Sequence, residues 1–163
     1  MISGNVKWDT YVKVMTLFVI MSCTLGCAII LFCTDSIWDK IGLVIIVVSI
    51  VSVFFLAPRR LVLGKSGLVL YKMIGTLNVD LDEITDLGIY EKKKELNLRL
   101  CGSGGFLGYL GIFRNKTLGK YMAYVGDYSQ AFWVRTKKGK CYMFSCENRD
   151  LLLSAIRKEM HNS

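Results

Sequence analysis

The sequence predicts an α+β membrane protein, with an N-terminal hairpin of two transmembrane helices followed by a domain of about seven antiparallel strands capped by a C-terminal helix. Three observations carry that expectation. Residues 14–33 and 41–57 are apolar runs without a charge, and helices of that length cross a hydrocarbon core of ~30 Å. After Pro58, the sole proline of the chain, the apolar residues recur with a period of two, as in half-buried strands. The last stretch, 148–160, returns to helical spacing.

Residues 1–13, MISGNVKWDTYVK, form a polar segment expected on the cytoplasmic side. Trp8 and Tyr11 suit interfacial anchors, and Lys13 can snorkel from the end of the first helix. A cleaved signal peptide is the competing reading of the first run; the length of the run and the second run close behind it weigh against that. The second helix reaches full spanning length if it begins at Ile37, with Lys40 snorkelling, which sets the transmembrane hairpin at 14–57 with helices at 14–33 and 37–57. Neither run carries the polar stripe of an amphipathic soluble helix, and in lipid only a helix satisfies the backbone within one segment. Lys7 and Lys13 precede the hairpin, Arg59, Arg60 and Lys65 follow it, and Lys40 alone sits in the connection beside Asp35 and Asp39. The positive-inside rule then places both termini in the cytoplasm.

Residues 58–163 form the second unit, large enough for a hydrophobic core of its own. Pro58 ends the second helix. RLVLG at 60–64 and LVLYKM at 68–73 read as a hairpin turning at Lys65-Ser66-Gly67, and 75–79 as a third strand. The acids Asp80, Asp82, Glu83 and Asp86 read as a surface turn. LNLRLC at 96–101 alternates strictly, and strands follow at 121–125, 131–136 and 140–145. In the final helix Asn148 suits the N-cap, and Leu152, Ile156 and Met160, broadened by Leu151, Leu153 and Ala155, form the face that packs on the sheet.

Charge is divided unevenly. The three Lys and three Asp of residues 1–57 cancel, so the net charge of +8 lies wholly after that point. A basic domain beside a bilayer is placed against anionic headgroups, although a solvated cytoplasmic face carries the same excess. Nucleic-acid binding finds no recognition motif. Of the six cysteines, Cys23, Cys27 and Cys33 lie in the first helix, and Cys101, Cys141 and Cys146 fall in strands without a CxxC pair. With His161 as the one histidine, neither a zinc site nor a nucleophile–histidine pair is expected, and no cofactor is implied.

The glycine-rich stretch 101–126, CGSGGFLGYLGIFRNKTLGKYMAYVG, fits neither the Rossmann nor the P-loop pattern. Gly105, Gly108 and Gly111 instead recur among Phe106, Leu107, Tyr109, Leu110, Ile112 and Phe113. Two readings stay open. In one, this is a loop resting in the membrane interface, with Phe106, Tyr109 and Phe113 at the surface and Arg114, Lys116 and Lys120 behind them among headgroups. In the other, the same side chains fill the core of the domain. Lys92, Lys93 and Lys94, between Glu91 and Glu95, read most simply as a solvated turn. Small residues at Ser22, Cys23, Thr24, Gly26, Cys27 and Ala28, with Ser49 and Ser52, suit close helix approach within the hairpin or between copies.

This stretch, the strand pair around Gly67-Leu68, the LDEI at 81–84 and the helix after SCENRDL together resemble the bacterial pleckstrin-homology (PH)-like domain membrane proteins, in which transmembrane helices precede a PH-like barrel. The resemblance covers about residues 60–160. It implies a partly open seven-stranded barrel plugged by the C-terminal helix and a multi-pass protein of the bacterial inner membrane. It brings no catalytic residues and no lipid specificity. The function it implies is a membrane-apposed binding or scaffold module whose partners are the bilayer, anionic headgroups, a docked protein or a second copy; an enzyme is the weaker alternative.

Overall fold

A computed structural model describes residues 2–33, 36–64, 66–91 and 97–162. Lys65, the lysines at 92–94 and Asp35 lie outside the described residues. Two helices, α1 (Thr10–Cys33) and α2 (Ile37–Leu56), are both long and apolar enough to cross a membrane. Nearly all their large apolar side chains, Phe18, Met21, Leu25, Val44 and Val48 among them, are exposed, which is unlike the core helices of a water-soluble protein. The α1 helix begins a turn before the apolar run because the Asp9 carboxylate accepts the Val12 amide at 2.7 Å as an N-cap. Within the helices the Thr24, Ser49 and Ser52 hydroxyls donate to carbonyls three or four residues back.

The rest is β-rich. A four-stranded sheet has the order β1 (Ile2–Asn5), β2 (Pro58–Leu63), β3 (Gly67–Lys72) and β4 (Thr76–Asp80). A six-stranded sheet has the order β5 (Ile84–Ile89), β9 (Ala131–Thr136), β10 (Cys141–Ser145), β8 (Gly119–Val125), β7 (Tyr109–Asn115) and β6 (Leu98–Gly104). A C-terminal helix, α3 (Arg149–Asn162), closes the chain.

The described residues thus form ten strands where about seven were expected. The additional ones are β1, β5 and β7, each masked by local sequence. The ISGN of β1 has no alternation and depends on pairing with β2, some 57 residues away in sequence (Ile2↔Leu63, Asn5↔Arg60). In β5 the acids hide Ile84 and Leu87, which are buried, and a bulge between Ile84 and Asp86 breaks the period. In β7 the repeated glycines read as loop, yet Gly111 pairs with Gly102 across the β6–β7 hairpin. Antiparallel pairing also has one exception: β10 inserts between β9 and β8 and runs parallel to β8.

The main core lies between the two sheets and α3. It gathers Leu61, Leu68, Leu70, Leu87, Phe132, Val134 and Phe144 with Leu152, Leu153 and Ile156 of the helix; Leu151 is exposed instead of joining that face. Asn148 accepts the first helical amide, from Leu152, on its carbonyl, while its side chain donates to Ser3 of β1. The opposite face of the six-stranded sheet carries a second, tyrosine-rich core of Phe113, Tyr121, Tyr128, Tyr90 and Met143, so its central strands are buried on both sides. All six cysteines are free thiols, Cys141 and Cys146 included.

The N-terminal segment is therefore a working part of the domain. Beyond its pairing with β2, Val6 donates to the Arg59 carbonyl, Asp9 donates to Gly126, and the Asn5 carbonyl accepts from Glu147. Lys7 forms an ion pair with Glu147.

Candidate membrane-interface site

Two turns of the β-domain rest on the base of the helical pair. The first is the tip of the β6–β7 hairpin, residues 105–108, closed by Gly105 donating to the Gly108 carbonyl at 3.2 Å. The Ser103 hydroxyl holds the tip from within, donating to the Phe106 carbonyl at 2.7 Å and accepting the Phe106 amide at 3.0 Å. At its apex Leu107 adopts φ 57°, a strained conformation for leucine. Its buried amide donates to the Thr16 hydroxyl of α1 at 2.9 Å. Gly105 lies so close to Tyr11 that an added Cβ would stand 2.8 Å from the ring. A side chain there would have to displace that ring and adopt a positive φ of 140°.

The second is the β3–β4 turn. Met73 donates to the Ala57 carbonyl at 3.1 Å and Ile74 to Phe55 of α2 at 3.2 Å. Ile74 is 60% exposed beside the last, apolar turn of the helix. Ala57, Leu107 and Leu110 form a buried nucleus between the two turns, with Trp8, Val53, Met73, Phe106 and Tyr124 packed against it. The junction is apolar and continuous.

The six residues singled out from sequence separate into different places. Phe106 is half-buried at the junction, and Tyr109 is half-buried between the start of α1 and the second core, its ring centroid 4.5 Å from that of Tyr128. Tyr109 stacks on Tyr11 at 6.4 Å between ring centroids and donates to Asp9 at 3.4 Å. Burial, followed by the Asp9 carboxylate, pushes its phenol up to about 12. Phe113 is buried in the second core against Tyr121. Arg114, Lys116 and Lys120 are exposed around the β7–β8 turn, at the far end of the hairpin. At ~3.4 Å per residue, Arg114 lies about 17 Å along β7 from Tyr109, so strand geometry separates these cations from the aromatic tip that sequence proximity placed beside them.

Sequence reasoning missed the residues that hold the junction: Asp9, Thr16, Met73 and Ile74. One signal was legible. Met73-Ile74 is an apolar pair in a turn between strands, where polar residues are the rule. The described residues contain no group of three or more His, Cys, Asp or Glu that could hold a metal ion.

The model of the family described as Bacterial PH domain matches residues 59–160. The match begins one residue after Pro58, leaving both long helices and β1 before it. No curated protein and no solved structure gives a match.

Proposed function

The chain belongs to the bacterial PH domain family, and from that premise we propose that it is a membrane-anchored binding or scaffold module. In this reading the two helices span the bacterial inner membrane, both termini are cytoplasmic, and the PH-like domain at 58–163 is held against the cytoplasmic face with no chemistry of its own. The pair of docked turns carries the proposal. A domain joined to two bilayer-crossing helices through Leu107–Thr16, Met73–Ala57 and Ile74–Phe55 has little freedom to leave the surface. The pairing of β1 with β2 keeps the segments flanking the hairpin on one side, as two successive crossings require. Lys7, Lys13, Arg59 and Arg60 cluster on that side, in agreement with the positive-inside rule. Its partners are then the bilayer and anionic headgroups.

A second reading, an accessory subunit docking one protein, has its own support. Among the described residues the outer strand β6 has one edge without a paired strand, and its Leu98 and Leu100 are 64% and 56% exposed. Such an edge accepts an added strand.

Labelling with a membrane-impermeant maleimide tests the anchored reading. The full chain with Cys33→Ala and Ser36→Cys is produced in bacteria and probed in spheroplasts. The expected result is modification at position 36 in intact spheroplasts and at Cys101 only after lysis. The reverse order, or recovery of the chain in the soluble fraction, overturns it.

A further inference from the structure

Beside the β3–β4 turn, on the outer face of the four-stranded sheet, lies an open cleft of about 790 Å³ lined by Ser3, Asn5, Arg59, Arg60, Tyr71 and Lys72. From it we infer a binding site for the phosphate of an anionic phospholipid, an inference that rests on the membrane-anchored reading above.

The charge comes first. Three cations converge there, and among the described residues no carboxylate lines the cleft. The convergence has a local cause. Consecutive strand residues normally point to opposite faces, but a β-bulge between Pro58 and Arg60 sets two residues of β2 against one of β3 (Pro58↔Lys72, Arg60↔Tyr71). Both arginines are exposed as a result and both line the cleft. The bulge is itself held, because the Arg59 carbonyl accepts the Val6 amide at 2.9 Å.

Pre-organisation comes next. One Nη of Arg60 donates to the Ser3 hydroxyl at 2.7 Å, fixing the guanidinium while leaving most of its donors for a ligand. Arginine forks match phosphate oxygens in bidentate fashion, and Lys72 adds a point charge. The N-terminal strand thus supplies part of the cleft.

Placement decides between a lipid and a free anion. Lys72 is the last residue of β3, and the next two residues bond the end of α2. Two residues on from Lys72 is exposed Ile74, whose amide bonds the Phe55 carbonyl, and Phe55 and Leu56 of that helix are exposed as well. A phosphate bound by the cations therefore has an apolar surface suited to acyl chains beside the Lys72 end of the cleft. A phospholipid uses both halves, whereas inorganic phosphate uses only one. The cations first expected in this role, Arg114, Lys116 and Lys120, lie at the other end of the domain and serve as the internal control.

The test titrates the detergent-purified full chain with dioctanoyl phosphatidylglycerol, reading bound lipid by native mass spectrometry, with dioctanoyl phosphatidylcholine and inorganic phosphate as separate arms. Wild type should retain phosphatidylglycerol in preference to phosphatidylcholine, and millimolar inorganic phosphate should not displace it. Removing a surface cation costs about fivefold in attraction to anionic lipid, so R59Q/R60Q/K72Q should weaken binding on the order of a hundredfold. R114Q/K116Q/K120Q should remain close to wild type, and R59K/R60K should fall between. Circular dichroism checks folding; Lys72→Gln alone, expected to lose about fivefold, keeps the test decisive if the triple variant unfolds. Equal binding by the cleft variants, or an equal loss in the distal triple variant, overturns the site. Displacement by inorganic phosphate overturns the lipid as its ligand. Position-36 labelling is independent of these variants, so failure of the cleft and failure of the anchored reading are distinguishable.

Discussion

Replacing Thr16 by valine should release the β6–β7 tip from the first helix without unfolding the domain. Valine keeps the shape of threonine but puts a methyl group where the hydroxyl accepts the Leu107 amide at 2.9 Å. Both residues are buried, Thr16 at 7% and Leu107 at 5% exposure, so water does not easily replace the lost acceptor. Leaving a buried donor unpaired costs ~1–3 kcal/mol, or about 5–150-fold in the balance between docked and released tip. The positive φ of Leu107 adds to the tendency to open, since release relaxes it. Hydrogen exchange of the full chain, read by mass spectrometry on peptides spanning 103–110, measures that balance. The expected result is exchange faster by about 5–150-fold at the tip and unchanged in β10, with Thr16→Ser near wild type because it keeps the acceptor. Unchanged exchange at the tip in the valine variant would refute the reasoning. An equal rise throughout the domain would show the loss to be global and not one of docking.

Three further predictions follow from the same contacts. A Cβ on Gly126 would collide with the Lys7 carbonyl and lie 2.8 Å from the Val6 side chain, so Gly126→Ala should dislodge the N-terminal segment and lower stability by about 1–3 kcal/mol, read by thermal unfolding of the full chain. Because the Tyr109 phenol is raised from an ordinary 10.0 to about 12, the stability it contributes is complete below pH 10 and is lost as pH rises through about 12; Tyr109→Phe should remove this high-pH loss and one late step in the tyrosinate absorbance titration. In the folded domain a maleimide should modify exposed Cys101 and spare buried Cys141 and Cys146 until denaturant is added, since burial pushes both thiols up, that of Cys146 to about 11.

What the sequence made legible was whatever depends on neighbours along the chain. The two apolar runs, the β9–β10 hairpin around Lys137-Lys138-Gly139 and the Leu152–Ile156 face of α3 all carry their pattern within a few residues. What depends on distant partners was hidden. Ile2–Asn5 has no strand character until Arg60–Leu63 pairs with it, so a chain starting at Arg60 lacks a strand that the apparent domain boundary concealed. The site shows the same division. Leu107 and Tyr109 were recognisable as unusual apolar residues among glycines, but their partners, Thr16 for Leu107 and Tyr11 and Asp9 for Tyr109, lie some ninety to a hundred residues earlier. Arg114 looked adjacent to the tip because sequence distance does not reveal that β7 is a strand leading away from it. The bulge that turns Arg59 and Arg60 to one face likewise has no signature in the residues themselves.

In the membrane-anchored reading the domain lies against the bilayer with the β3–β4 and β6–β7 turns facing it. Depth-dependent quenching tests it most directly. The full chain, with its native cysteines replaced by alanine and a single fluorophore attached at Ile74→Cys or at Lys116→Cys, is reconstituted into vesicles containing headgroup spin-labelled lipid. Strong quenching is expected at position 74 and little at position 116, which lies past the end of β7, about 20 Å along the strand from the β6–β7 tip. Equal quenching at the two positions, or stronger quenching at 116, would contradict it.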